Sequence, residues 1–121
     1  MKFLKSLRYA GNGIRHSSIY EINFRIHLFA TFAVAVAGFC FAINNTEWLA
    51  VITCCTLVLT AEMFNTAIEV FCDCLDKEPL PKIKIVKDVA AGAVLITAIG
   101  SAVIGIVIFL PKIIHQIKLY P

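Results

Sequence analysis

The sequence predicts an all-α membrane protein in which an N-terminal amphipathic helix precedes three transmembrane helices. Three observations carry this prediction. Hydrophobic residues make up 60% of the 121 and charged ones 16%, against about 45–50% and about 25% in soluble chains. One domain of this length, taken as residues 1–121, could not hide so much apolar surface from water. Three stretches reach the length needed to cross about 30 Å of hydrocarbon: 18 residues from Ile26 to Ile43, 25 from Trp48 to Cys72 and 22 from Val89 to Leu110. The first and third carry no formal charge, and the second holds two glutamates. Finally, nine of the eleven basic residues fall on one side of these spans.

The N-terminal segment reads as an amphipathic helix over residues 2–15, extending to about residue 20. Phe3, Leu4, Leu7, Ala10, Gly11 and Ile14 recur at helical spacing, while Lys2, Lys5, Arg8 and Arg15 fall mostly off that stripe. Such a helix lies in the headgroup plane and offers its cations to anionic lipid. Gly11 and Gly13 predict a bend in it. The first span reads as an uncleaved anchor, being too long for a signal h-region and lacking a small-residue cleavage site behind it.

Asn44 to Glu47 is expected to form a short turn, so the first two spans make a tight antiparallel hairpin, with Trp48 as an interfacial anchor. The connection from Asp73 to Asp88 carries Lys77, Lys82, Lys84 and Lys87, and Pro79 and Pro81 should end any helix there. Pro111 is expected to close the third span, leaving a short amphipathic or frayed tail. That span is rich in small residues, from Ala90 to Gly105, which predicts a central packing position. The bias of Lys and Arg places the N-terminus in the cytoplasm and the C-terminus outside.

The net charge of +3 is modest and gives little support to nucleic-acid binding. Five cysteines, Cys40, Cys54, Cys55, Cys72 and Cys74, lack the spacing of a metal site. Within apolar spans a thiol packs as a small hydrophobe. No G-x-x-x-x-G-K-[ST] loop is present, so nucleotide binding of the soluble P-loop kind is excluded.

The second span carries the chemistry. Glu62 and Glu69 are seven residues apart and share a helix face, Asn65 lies between them on the same stripe, and Asp73 follows four after Glu69. By helical rise, Glu62 lies roughly 20 Å from Trp48 and Glu69 about 10 Å further, near the cytoplasmic boundary. A carboxylate at the centre of a bilayer costs at least about 2.5–3.5 kcal/mol on insertion scales, and less towards the edge. Three compensations compete: protonated glutamates hydrogen-bonded between helices, a proton or cation pathway, or a bound divalent cation with one glutamate acting as a base. The last is favoured, because Mg²⁺ takes carboxylate oxygens and shares them with substrate phosphates. Glu21 at the inner mouth of the first span, and Lys87 and Asp88 at that of the third, converge on the same side. Asn23, Arg25 and His27 stand at the same mouth. Arg25 is a candidate lipid contact or a snorkelling cation, and His27 a participant or a satisfied interfacial histidine. Glu47 stands on the opposite face and bounds the turn.

These residues fall into ordered motifs: E-x-N-x-R-I-H from Glu21 to His27, A-E-x-x-N-T-A-I-E-x-x-x-D from Ala61 to Asp73, and K-D-x-A-A-G-A-V-L from Lys87 to Leu95. Together they resemble the small prokaryotic integral-membrane diacylglycerol kinase and undecaprenol kinase family, over nearly the whole chain. The resemblance implies a homotrimer in the bacterial inner membrane that transfers the ATP γ-phosphate to a membrane lipid alcohol. It implies Glu62 as general base beside Asn65, Glu21 and Glu69 as Mg²⁺ ligands, and Lys87 and Asp88 as nucleotide contacts. Asp73 matches an active-site carboxylate, and Tyr9 a nucleotide-contacting tyrosine. His27 stands where the best-known members are acidic, and the E-x-N-x-R-I-H form favours undecaprenol over diacylglycerol as acceptor. The rival reading is a small oligomeric ion-conducting or transport protein that uses the same glutamates.

Overall fold

In a computed structural model of the protein, residues 1–75 and 80–120 are described. Four helices follow in order, α1 (Lys2–Tyr20), α2 (Ile22–Cys40), α3 (Asn45–Leu75) and α4 (Pro81–Leu119), and no strand occurs among the described residues. The last three are long and apolar enough to cross a membrane. The expected break at Pro79 and the cation Lys77 lie outside the described residues, whereas Pro81 occupies the first turn of α4, where its missing N–H has no intrahelical partner to lose.

α1 is continuous through Gly11 and Gly13, so the expected bend does not occur there. The chain breaks instead at Glu21, a single extended residue (φ −107°, ψ 108°) that ends α1 and begins α2. Its N–H still donates to the Ser17 carbonyl at 3.1 Å, and its own carbonyl accepts from Arg25 N–H at 3.1 Å. Both helix ends therefore keep their backbone bonds across the joint. The face that α1 packs inward holds Gly13 and the buried Ser17, while Phe3, Leu4, Leu7 and Ile14 remain exposed.

The hairpin between α2 and α3 turns at Phe41–Asn44, three residues earlier than the sequence suggests. Ile43 N–H donates to the Gly38 carbonyl and Ala42 N–H to that of Phe39, the pairing of a Schellman stop. Ala42 takes the left-handed conformation (φ 49°) that this stop requires. Asn44 then caps α3 reciprocally: Glu47 N–H donates to Asn44 Oδ1 at 2.9 Å and Asn44 N–H to Glu47 Oε1 at 3.1 Å. Trp48 packs against the hairpin. Its ring lies against Phe39 (centroids 4.9 Å), and a Cβ on Gly38 would come within 2.6 Å of it.

α3, not the small-residue helix α4, is central. It packs against each of the other three helices, whereas α2 and α4 make no close backbone approach to each other. Six of its residues are buried, Val51, Val58, Glu62, Asn65, Thr66 and Cys72, against two each in α2 and α4. The small residues of α4 do let α3 approach closely, but most of their surface faces outward. Beside the α2–α3 turn Ile43, Val51 and Ile108 form a small core, joined by Val34, Phe41, Trp48 and Phe109.

The helix does not stop at Pro111: α4 continues through it to Leu119. A proline inside a helix forfeits one backbone bond, yet the next residue, Lys112, reaches across to Glu47 at 3.0 Å. That ion pair ties the far turn of α4 to the capping box of α3. The C-x-C motif splits as its spacing implies, Cys72 buried and Cys74 exposed, and all five cysteines are free thiols.

Candidate active site

Three of the six buried residues of α3 are polar, and they are consecutive on one stripe: Glu62 (3% exposed), Asn65 (7%) and Thr66 (6%). In hydrocarbon, polar side chains turn towards the helix bundle because lipid offers them no partner. Glu69, half-buried one turn further on, accepts a hydrogen bond from Asn65 Nδ2 at 3.1 Å. Within the stripe the hydrogen bond runs from Asn65 to the half-buried Glu69, and Glu62 faces His27 instead.

Around Glu62 the other helices close in. α2 brings His27, whose Nε2 is 3.9 Å from Glu62 Oε2. α1 crosses where Gly13 faces Met63, so that a Cβ on Gly13 would sit 3.9 Å from the methionine Cε. Glu21, at the start of α2, lies fewer than two turns before His27. Glu21, Glu62 and Glu69 thus converge at one end of the bundle, and Asn65 Oδ1 and Thr66 Oγ1 find no hydrogen-bond partner among the described residues.

Lys87 and Asp88 occupy the first part of α4 at the same end, but they do not reach Glu62. Lys87 Nζ donates to Asp73 Oδ1 at 2.5 Å, joining α4 to α3. Asp88 accepts from Lys84 one turn back at 2.6 Å. Both pairs are substantially exposed, so they position the side chains more than they stabilise the fold. Tyr9 and Arg25 are exposed, Tyr9 on α1 with 68% of its surface free. Neither touches the Glu62 stripe within one chain.

Sequence reasoning missed Thr66 and Ser17. Thr66 lies four residues after Glu62, and Ser17 four before Glu21, so helical spacing from the acidic residues was the signal that could have found them. Two cavities flank the stripe. One, of about 290 Å³, opens beside His27 between α2, α3 and α4. The other, of about 310 Å³, is lined by Asn65, Phe64 and Ala90 between α3 and α4.

The described helices thus form a bundle with one buried carboxylate, Glu62, on a helix long and apolar enough to cross a membrane. Residues 8–109 match the model of the family described as prokaryotic diacylglycerol kinase, and the chain belongs to that family. It is an integral-membrane lipid kinase, a phosphotransferase. It is 38% identical over 112 residues to an undecaprenol kinase of Bacillus subtilis, covering 93% of this chain and 91% of that one. It is also 37% identical over 116 residues to a diacylglycerol kinase of Synechocystis, covering 92% of this chain and 64% of the relative. The ion-conducting alternative finds no support among these relatives.

Proposed function

We propose that this kinase transfers the γ-phosphoryl group of Mg-ATP to the hydroxyl of a membrane lipid alcohol at the cytoplasmic face. The observation that carries the reading is Glu62: a carboxylate 3% exposed on an apolar helix, ringed by His27, Asn65 and Glu69 at the membrane end that the basic residues mark. Burying such a group is costly without a use for it.

Glu62 is the general base. It accepts the proton of the lipid hydroxyl as the oxygen bonds to the γ-phosphorus and the bond to the β,γ-bridging oxygen breaks, leaving ADP and the lipid phosphate. Asn65 holds the Glu69 carboxylate in place through its amide N–H. Among the described residues no three His, Cys, Asp or Glu side chains gather to cage a metal. Mg²⁺ needs no such cage, since it takes one or two carboxylates and completes its shell with water and phosphate oxygens. Glu21 and Glu69 would hold it, and it would offset charge on the phosphate oxygens. Lys87, Asp88 and Asp73 meet the nucleotide, Lys87 exchanging its bond to Asp73 for one to phosphate. Tyr9 on α1 closes over the nucleotide, and Arg25 meets the lipid headgroup region.

The orientation follows the cations, with the N-terminus cytoplasmic, the C-terminus outside and the chain in the bacterial inner membrane. The homotrimer that the family resemblance implies would bring a neighbouring subunit to the site, where Tyr9 and Arg25 lie away from Glu62 in one chain and Asn65 lines a cavity between α3 and α4. Undecaprenol is the favoured acceptor over diacylglycerol, on the E-x-N-x-R-I-H motif and on the fuller coverage of the undecaprenol kinase relative.

The test uses detergent-solubilised protein, Mg-ATP labelled at the γ-phosphate, and undecaprenol and diacylglycerol side by side. Label should enter lipid, and undecaprenol more rapidly. Glu62→Gln should lower kcat by at least about 100-fold with helicity and oligomeric state unchanged. A folded Glu62→Gln protein of ordinary activity would remove the base assignment.

A further inference from the structure

The end of α4, residues 112–119, lies outside residues 8–109, which match the family, and at the far end of the helix from Lys87. Lys112 marks its start, tied to Glu47 at 3.0 Å beside the α2–α3 turn. Every residue from Ile113 to Tyr120 is exposed, so no other described helix covers the segment. From Lys87 to Lys112 the helix rises roughly 38 Å, close to the about 40–45 Å of a bilayer with its headgroup layers. An upright continuation would rise roughly 10 Å further and carry Ile113, Ile114 and Ile117 into water.

Those isoleucines are not scattered. At three- and four-residue spacing they continue the exposed row of Ile106 and Leu110 in the span. Lys112, His115, Gln116 and Lys118 fall away from that row, with Leu119 the one apolar residue among them. A spanning helix therefore ends in a segment with the two faces of a helix that lies along a membrane surface. The charge on this segment has one sign. Glu47 is the only acid at this end among the described residues, and it is already paired with Lys112. Lys118 has no acidic partner among the described residues. A second copy of the segment would set like charges side by side, whereas anionic lipid phosphates would answer them. Pro111 supplies a place to turn. It leaves the Val107 carbonyl without its backbone donor, and sharp changes of helix direction fall at such places.

We infer that residues 113–119 are a docking element for anionic lipid headgroups. The segment turns at Pro111 into the headgroup layer, sinks Ile113, Ile114 and Ile117 below the phosphates and presents Lys118 to them. The ion pair of Lys112 with Glu47 fixes the depth at which it leaves the bundle. The inference rests on α4 crossing the membrane and not on the reaction.

Photochemistry on the full-length protein in vesicles provides the test. The vesicles hold phosphatidylcholine with phosphatidylglycerol as the anionic lipid. The photoreactive residue p-benzoylphenylalanine replaces Ile117 in one preparation and Gln116 in another. Both positions are exposed, and unchanged helicity and oligomeric size show that each preparation is folded. Irradiation should give about tenfold or more lipid adducts at position 117 than at 116, as the two faces of a surface helix require. Among the adducts at 117, phosphatidylglycerol should exceed its share of the vesicle about twofold to fivefold, the pull of one basic residue at an anionic surface. Lys118→Gln should return it to that share. No adduct at 117 would mean a helix end standing in water, and adducts to protein would mean a second copy or a contact with the bundle. Either result overturns the inference, as does phosphatidylglycerol at its vesicle share with Lys118 in place. With no nucleotide or acceptor alcohol present, the outcome is independent of the kinase reading.

Discussion

Lys87 of α4 donates to Asp73 of α3 at 2.5 Å, a link between the two helices just inside the connection that joins them. The pair is exposed, with 38% and 67% of the two side chains free. It therefore holds a cation at the mouth of the carboxylate stripe while adding little to stability.

Lys87→Met separates those roles. Unfolding free energy should barely change, as for other exposed ion pairs. KM for ATP should rise about tenfold or more if the ammonium exchanges Asp73 for phosphate. Denaturation and initial-rate kinetics on the same preparation check both.

Asn65 tests the link to Glu69. Asn65→Ala removes the donor that holds Glu69, and loss of a partner that orients a metal ligand typically costs 10–100-fold in metal affinity or activity. The Mg²⁺ concentration for half-maximal rate should rise by about that factor, while KM for the lipid stays near its wild-type value. Titrating Mg²⁺ at fixed ATP reads the effect.

Gly38→Ala should weaken the α2–α3 hairpin. The new methyl group would lie 2.6 Å from the Trp48 ring and 3.1 Å from Ile43 Cδ1, and overpacking of this kind costs about 1–3 kcal/mol. A lowered thermal midpoint, partly restored by Trp48→Leu in the double variant, is the expected pattern.

Ala42→Gly should act in the opposite direction. Ala42 holds φ at 49°, a conformation that costs an L-residue about 1–2 kcal/mol relative to its ordinary regions. Glycine relieves that strain but adds freedom to the unfolded chain. A net gain of about 0.5–1 kcal/mol is expected in chemical denaturation, with catalysis unaffected because the turn lies at the other membrane face.

The acidic stripe was legible because helical geometry alone places Glu62, Asn65 and Glu69 on one face, and an apolar helix makes each polar residue conspicuous. The element boundaries were less so. The turn shifted upstream because Ala42 adopts a conformation that alanine rarely signals, although Asn44 and Glu47 carried a readable capping pair. Locally Pro111 reads as a stop, and the contact from Lys112 to Glu47 that ties down the next turn joins residues about half the chain apart. The packing order also escaped the sequence: small residues made α4 look central, but the buried polar stripe of α3 decided which helix lies innermost. The pairing of Lys87 with Asp73, and not with the carboxylates deeper in the stripe, depended on side-chain reach that spacing does not encode.

Glu21 is the lone extended residue between two 19-residue helices. Stiff rods on either side leave the two torsions of that residue as the joint that absorbs any tilt of α1 relative to α2. The carboxylate rides on the pivot itself, so a rocking of the N-terminal rod by a few degrees rotates its oxygens directly, with no intervening linkage to dilute the motion.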